Sequence, residues 1–123
     1  MARRSRRVPV SLGVCLLLLG ALSGVDGAEP LRLQVTPAAS RAPGLVTVRA
    51  SIEADAENRL LEVVAASPDF YRRSEIEVNG AQGQRLNVFT FPNLPAGQYE
   101  FTAILIGTQG PRASAFRVAI VAP

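Results

Sequence analysis

From residue 31 onward, apolar side chains recur at every second position, in short runs interrupted by Gly, Pro and Asn. A pleated strand sends successive side chains to opposite faces, so this period marks strands that each bury one face. Seven strands can be read. Leu31, Leu33 and Val35 alternate with Arg32, Gln34 and Thr36 in the first, and Val46, Val48, Ala50 and Ile52 with Thr47, Arg49, Ser51 and Glu53 in the second. The third, Arg59 to Ala66, is apolar on both faces and is expected at the centre of a sheet. The fourth sets Ile76 and Val78 against Glu75 and Glu77, and Asn79-Gly80 is expected to turn it as a hairpin into a fifth near Arg85 to Phe91. The sixth carries Tyr99, Phe101, Ala103 and Leu105 inward. The seventh is expected to carry Phe116, Val118 and Ile120 inward, with Ala115, Arg117, Ala119 and Val121 outward. Pro37 to Gly44 reads as a loop. No long segment has helical periodicity, so the fold class is all-β, a seven-stranded antiparallel β-sandwich.

The chain begins differently. Arg3, Arg4, Arg6 and Arg7 precede an apolar stretch from Val8 to Leu22, and small residues follow up to Gly27. Basic, apolar and small-residue regions in that order form a secretory signal, with cleavage expected between Gly27 and Ala28. The stretch is short for a bilayer span and is broken by Pro9, Gly13 and Gly20. Ser5-Arg6-Arg7 is a weak twin-arginine pattern, and Val14 before Cys15 stands where lipidation wants a small residue. The expected organisation is a signal peptide over residues 1–27 and one domain over 28–123, exported to the periplasm or beyond the cell.

Removing the leader rewrites the electrostatics. The whole chain has thirteen Arg and Lys against ten Asp and Glu; the leader holds four Arg and one Asp, leaving nine against nine. Phosphate binding needs a standing basic surface, so nucleic acid is not an expected partner. Cys15, the single cysteine, leaves too, and no disulfide can brace the domain. The chain contains no histidine and no lysine, which removes the usual general base and Schiff-base amine. Neither a catalytic site nor a cofactor is expected. Glu53, Asp55 and Glu57 with Asn58 form an acidic cluster between the second and third strands, which reads as a solvated turn, since it matches no calcium-loop spacing.

The segment from Val88 to Phe101, VFTFPNLPAGQYEF, has the form of strand, turn and strand. Pro95 presets a corner, Gly97 is expected to take the left-handed backbone that closes it, and Leu94 plugs the end of the core. Tyr99 resembles the tyrosine corner of immunoglobulin-like and fibronectin type III domains, in which the ring packs inward and the hydroxyl bonds to nearby backbone. The F-x-F-x-N-L-P-x-G-x-Y string also resembles carboxypeptidase-regulatory-like domains of prealbumin-like topology. The resemblance implies an immunoglobulin-like sandwich, with the prealbumin-like arrangement as the alternative, and by itself implies no function.

Two features point to binding. Ser67 to Ser74 reads as a loop that gathers Phe70, Tyr71, Arg72 and Arg73, residue types that anchor protein partners and stack on sugars. In immunoglobulin-like topology the third, sixth and seventh strands share a sheet, whose outward positions would include Leu60, Val64, Ile104 and Ile106. That face is too apolar to be left in water. The expected function is a non-catalytic exported interaction module, binding an envelope or secreted protein, or itself, through this face and the Phe70 to Arg73 loop. The alternative is a carbohydrate-binding domain using the same loop.

Overall fold

The computed structural model describes residues 29–123; the leader and its cleavage position lie outside the described residues. Eight strands form two packed sheets. They are β1 (Leu31–Thr36), β2 (Ala39–Arg41), β3 (Gly44–Ile52), β4 (Asn58–Ser67), β5 (Phe70–Glu77), β6 (Leu86–Leu94), β7 (Gly97–Gly107) and β8 (Gly110–Ala122). One sheet has the order β1-β3-β6 and the other β2-β8-β7-β4-β5. As immunoglobulin-like strand order requires, the strands read third, sixth and seventh from the sequence (β4, β7 and β8) share a sheet. No helix among the described residues is long and apolar enough to cross a membrane.

The core forms where the alternating apolar positions of the two sheets meet. Val46, Val48 and Ala50 of β3 and Phe89 and Phe91 of β6 face Leu61, Val63 and Ala65 of β4 and Phe101, Ala103 and Leu105 of β7, all buried. Phe91 and Phe101 meet edge-on across the sheets, 5.6 Å between ring centroids. Each Val, Leu or Phe side chain so taken from water is worth about 1.5 to 3 kcal/mol, and with no disulfide this burial holds the sheets together. β4 is central as its two apolar faces require, with β5 on one side and β7 on the other.

Five expectations are corrected. The Pro37–Gly44 loop contains β2, three residues that run parallel to the end of β8 and pair Ala39 with Ile120. The Ser67–Ser74 loop is a tight turn at Pro68-Asp69, after which Phe70 to Ser74 already belong to β5. Asn79-Gly80 makes no hairpin, because β5 and β6 lie in different sheets. A 3₁₀ turn at Gly80–Gln82, with Gly80 at φ 52°, carries the chain across while Val78 is drawn into the core. At the β6–β7 corner the left-handed residue is Asn93, φ 59°, and Gly97 does not take that conformation. Leu94 plugs the core end as expected and is fully buried.

The fifth correction is the register of β8. Ala119 and Val121 are 1% and 2% exposed, whereas Phe116, Val118 and Ile120 are 55%, 43% and 51% exposed. Space decides this. A Cβ on Gly44 of β3 would come within 3.0 Å of Val121 Cγ2, so the sheets approach too closely here for a larger side chain. The neighbouring strand supplies the bulk instead: buried Tyr99 pairs with Ala119, and buried Phe101 with Arg117, so large residues on β7 stand beside small or outward-reaching ones on β8.

Candidate functional site

The outer face of the five-stranded sheet gathers apolar side chains from four strands. Pairing puts Leu60 beside Ile106, Val64 beside Thr102, which in turn stands beside Phe116, and Ala66 between Tyr71 and Glu100, with Val118 beyond Glu100. Ile104 stands beside Glu62. Of the residues expected on this face, Leu60, Val64, Ile104 and Ile106 are there and half-buried, as central strands are when their neighbours crowd them. To these the structure adds Phe116, Val118 and Ile120 at the β8 side and Tyr71, 67% exposed, at the β5 side. The three β8 residues escaped the sequence reading because bulk was taken as the mark of burial. The signal that could have found them is the run of small residues Ala113, Ala115 and Ala119 on the opposite face.

Charge on this face comes from Arg73, Glu75 and Glu77 on the β5 edge and from Glu62 and Glu100 on the interior strands β4 and β7. Arg73 Nη2 donates to Glu75 Oε1 at 2.8 Å, and its Nε also pairs with Glu62 on β4. Glu62 first and then Glu75 hold the guanidinium above its ordinary pKa, so Arg73 is a permanent cation on the β5 edge.

The four residues expected to act together at positions 70 to 73 are divided between the two faces of β5. Tyr71 and Arg73 stand on the outer face. Phe70 and Arg72 point the other way: Phe70 meets the Tyr99 ring edge-on at 5.6 Å, and Arg72 covers the Phe70 ring at 5.1 Å. Arg72 Nη1 also donates to the Pro92 carbonyl at 3.1 Å, closing that end of the sandwich. The Phe70 and Tyr71 rings therefore form no common stacking platform, which a sugar site on this segment would need.

A shallow cleft of about 430 Å³ lies at one end of the outer face, lined by Ala66, Ser67, Pro68, Gln98, Glu100 and Val118, with Tyr99 at its floor. Its walls carry one charged side chain, and it continues the apolar patch past Val118.

At the opposite end the acidic cluster is tied into the fold. Arg112 donates to Asn58 Oδ1 at 2.5 Å and to Asp55 Oδ2 at 2.9 Å, and the Thr108 hydroxyl donates to Glu57. Asn58, fully buried, donates in turn to the Glu53 carbonyl at 2.9 Å. The cluster thus clamps the β3–β4 turn to the β7–β8 turn. Among the described residues no group of three or more His, Cys, Asp or Glu side chains is placed to hold a metal ion.

The fold is similar to that of the superoxide reductase (neelaredoxin) from Ignicoccus hospitalis, with a TM-score of 0.60 and 15% identity over 76% of this chain and 80% of that one. It is also similar to part of a family 76 glycoside hydrolase from a bovine Bacteroides thetaiotaomicron strain, with a TM-score of 0.53 and 19% identity over 76% of this chain and 20% of that chain. A third similar structure is Spo0M, the sporulation control protein from Bacillus subtilis, with a TM-score of 0.50 and 17% identity over 80% of this chain and 51% of that one. At such identities the likeness is one of fold alone. No family model matches the chain, and no curated protein matches it in sequence.

Proposed function

We propose that this chain is an exported, non-catalytic interaction module that docks a protein partner through the apolar outer face of its five-stranded sheet, with Tyr71 and Arg73 at the margin. One observation carries the reading: Phe116, Val118 and Ile120 stand about half exposed on the same face as Leu60, Val64, Ile104 and Ile106. Scattered surface apolar residues need no explanation, but a contiguous patch of this kind is the mark of an interaction surface. Tyr71 and Arg73 are residue types that anchor protein interfaces. The residue inventory supports the non-catalytic part, since the chain has no histidine or lysine and its one cysteine is in the leader. Export rests on the leader sequence.

The test is to place a photo-crosslinking amino acid at Ile104 in the full chain, express it in a bacterial envelope, and identify what is captured with and without V118E. The expected result is one crosslinked protein, lost in V118E at unchanged melting temperature, from a chain whose first residue is Ala28. Equal capture by both proteins would overturn the docking face. A first residue of Met1 would overturn cleavage.

A further inference from the structure

β5 is the last strand of its sheet. It pairs with β4 from Leu60 and Glu77 to Ser67 and Phe70, and among the described residues no strand pairs its other side. The other open edges are shorter or blunted: β1, an edge of the three-stranded sheet, has six residues to the eight of β5. β2 is three residues long, β6 carries Pro92, and the stretch of β8 beyond β2 carries Pro111 and the charged Arg117. β5 runs for eight residues without proline or glycine. Such an edge offers a row of free N–H and C=O groups to another strand.

The charges on that edge decide which strand fits. Along the outer face β5 reads Tyr71, Arg73, Glu75, Glu77, cationic toward one end and acidic toward the other. An antiparallel copy of the same strand inverts that order. We propose that β5 pairs with β5 of a second copy of this chain about a two-fold axis at Ser74, joining two five-stranded sheets into one continuous sheet. Arg73 of each copy then lies opposite the second copy's Glu75, and Tyr71 opposite its Glu77, on the outer face. Beneath the sheet Arg72 lies opposite Ile76. At the axis the small, uncharged Ser74 meets itself.

Neighbouring registers are worse. An axis at Arg73 or at Glu75 sets that charge against its own image, which disfavours the pairing. An axis between two residues turns one sandwich over, bringing half-buried Phe70 against Glu77 and placing the two apolar faces on opposite sides. With the axis at Ser74 both outer faces lie on one side, and the patch runs across the join. A closed two-fold pairing also uses up both copies' β5 edges, which ends further strand addition at this edge. The proposal rests on the interaction-module reading and names a second copy as the partner taken at β5.

Sedimentation velocity on the purified protein tests it. The expected result is a dimer whose population rises with concentration. R73E and E75R each weaken association about tenfold, because each sets like charges opposite at two symmetric positions, and the double variant R73E/E75R restores it. In a C15S background, S74C crosslinks two chains on oxidation while R72C does not, since only position 74 faces itself. A monomer at every concentration, a double variant no better than the singles, or equal crosslinking through positions 72 and 74 would overturn the pairing. Association that survives the β5 variants but is abolished by I104E or V118E overturns the edge pairing and leaves the docking face standing.

Discussion

The Tyr99 hydroxyl donates to the Pro95 carbonyl at 2.6 Å, four residues upstream, so the first turns of β7 are fastened to the corner by which the chain leaves β6. The ring is fully buried, with Phe70 at 5.6 Å and Phe101 at 6.2 Å between centroids. This is the arrangement the resemblance to a tyrosine corner implies, and it assigns Tyr99 to stability. Y99F keeps the packing and removes one bond. The expected loss is about 1 kcal/mol, read as a lower urea midpoint with an unchanged slope.

The register of β8 makes a sharper prediction, since the two readings of that strand assign opposite roles to its residues. V121D buries a carboxylate with no partner, and the expected loss is several kcal/mol, enough to abolish cooperative unfolding. F116D places its charge on the outer face, and stability should change by less than about 1 kcal/mol. Denaturant unfolding of the two variants checks this. If F116D proved the more damaging of the two, the strand would have to be turned over.

The sheet positions that alternation assigns inward in β1 and β3 are buried, Val35 partly so, because on those strands the opposite face is largely polar; the inward set of β7 is buried too, although Ile104 and Ile106 stand on its outer face. On β8 both faces are largely apolar, and the choice is made by the depth of the space above Gly44 and by the bulk of Tyr99 and Phe101 next door. Those are long-range facts that a local pattern does not carry. β2 was hidden for a similar reason: three residues give no period, and their pairing with β8 depends on where the chain end lies. The outer face was half legible, through Leu60, Val64, Ile104 and Ile106. The Phe70 to Arg73 segment was misplaced because Pro68-Asp69 completes its turn in two residues, leaving the aromatic and basic side chains to alternate along a strand.

Asn58 and Arg112 come from turns far apart in sequence and are joined by one hydrogen bond of 2.5 Å. Removing Asn58 takes from Arg112 one of its two side-chain partners and from the Glu53 carbonyl its donor at the buried end of β4, so N58A is expected to cost about 2 to 3 kcal/mol. R112A is expected to cost less, about 1 to 2 kcal/mol, because its ion pair with Asp55 is partly open to water and contributes little. If the two act as one clamp, the double variant N58A/R112A loses less than the sum of the singles. A double-mutant cycle should return a coupling near 1 kcal/mol, and strict additivity would show the contact to be incidental.

Gly107 sits where those two turns touch. A Cβ there would meet the Glu57 carbonyl oxygen at 2.8 Å and Arg112 Cδ at 2.6 Å. The Arg112 side chain can move aside, but the Glu57 backbone belongs to the turn that Asp55 and Asn58 hold in place. G107A therefore forces the β3–β4 and β7–β8 turns apart, with an expected loss of about 1 to 3 kcal/mol. The damage should be local. In hydrogen exchange the amides around Asp55 to Asn58 are expected to lose protection, while those of Tyr99 and Phe101 at the far end of β7 keep theirs. At the adjacent turn residue Gly110, whose φ is 111° and whose Cβ would meet nothing within 4 Å, an alanine is penalised by backbone strain alone, so G110A separates the cost of conformation from the cost of contact.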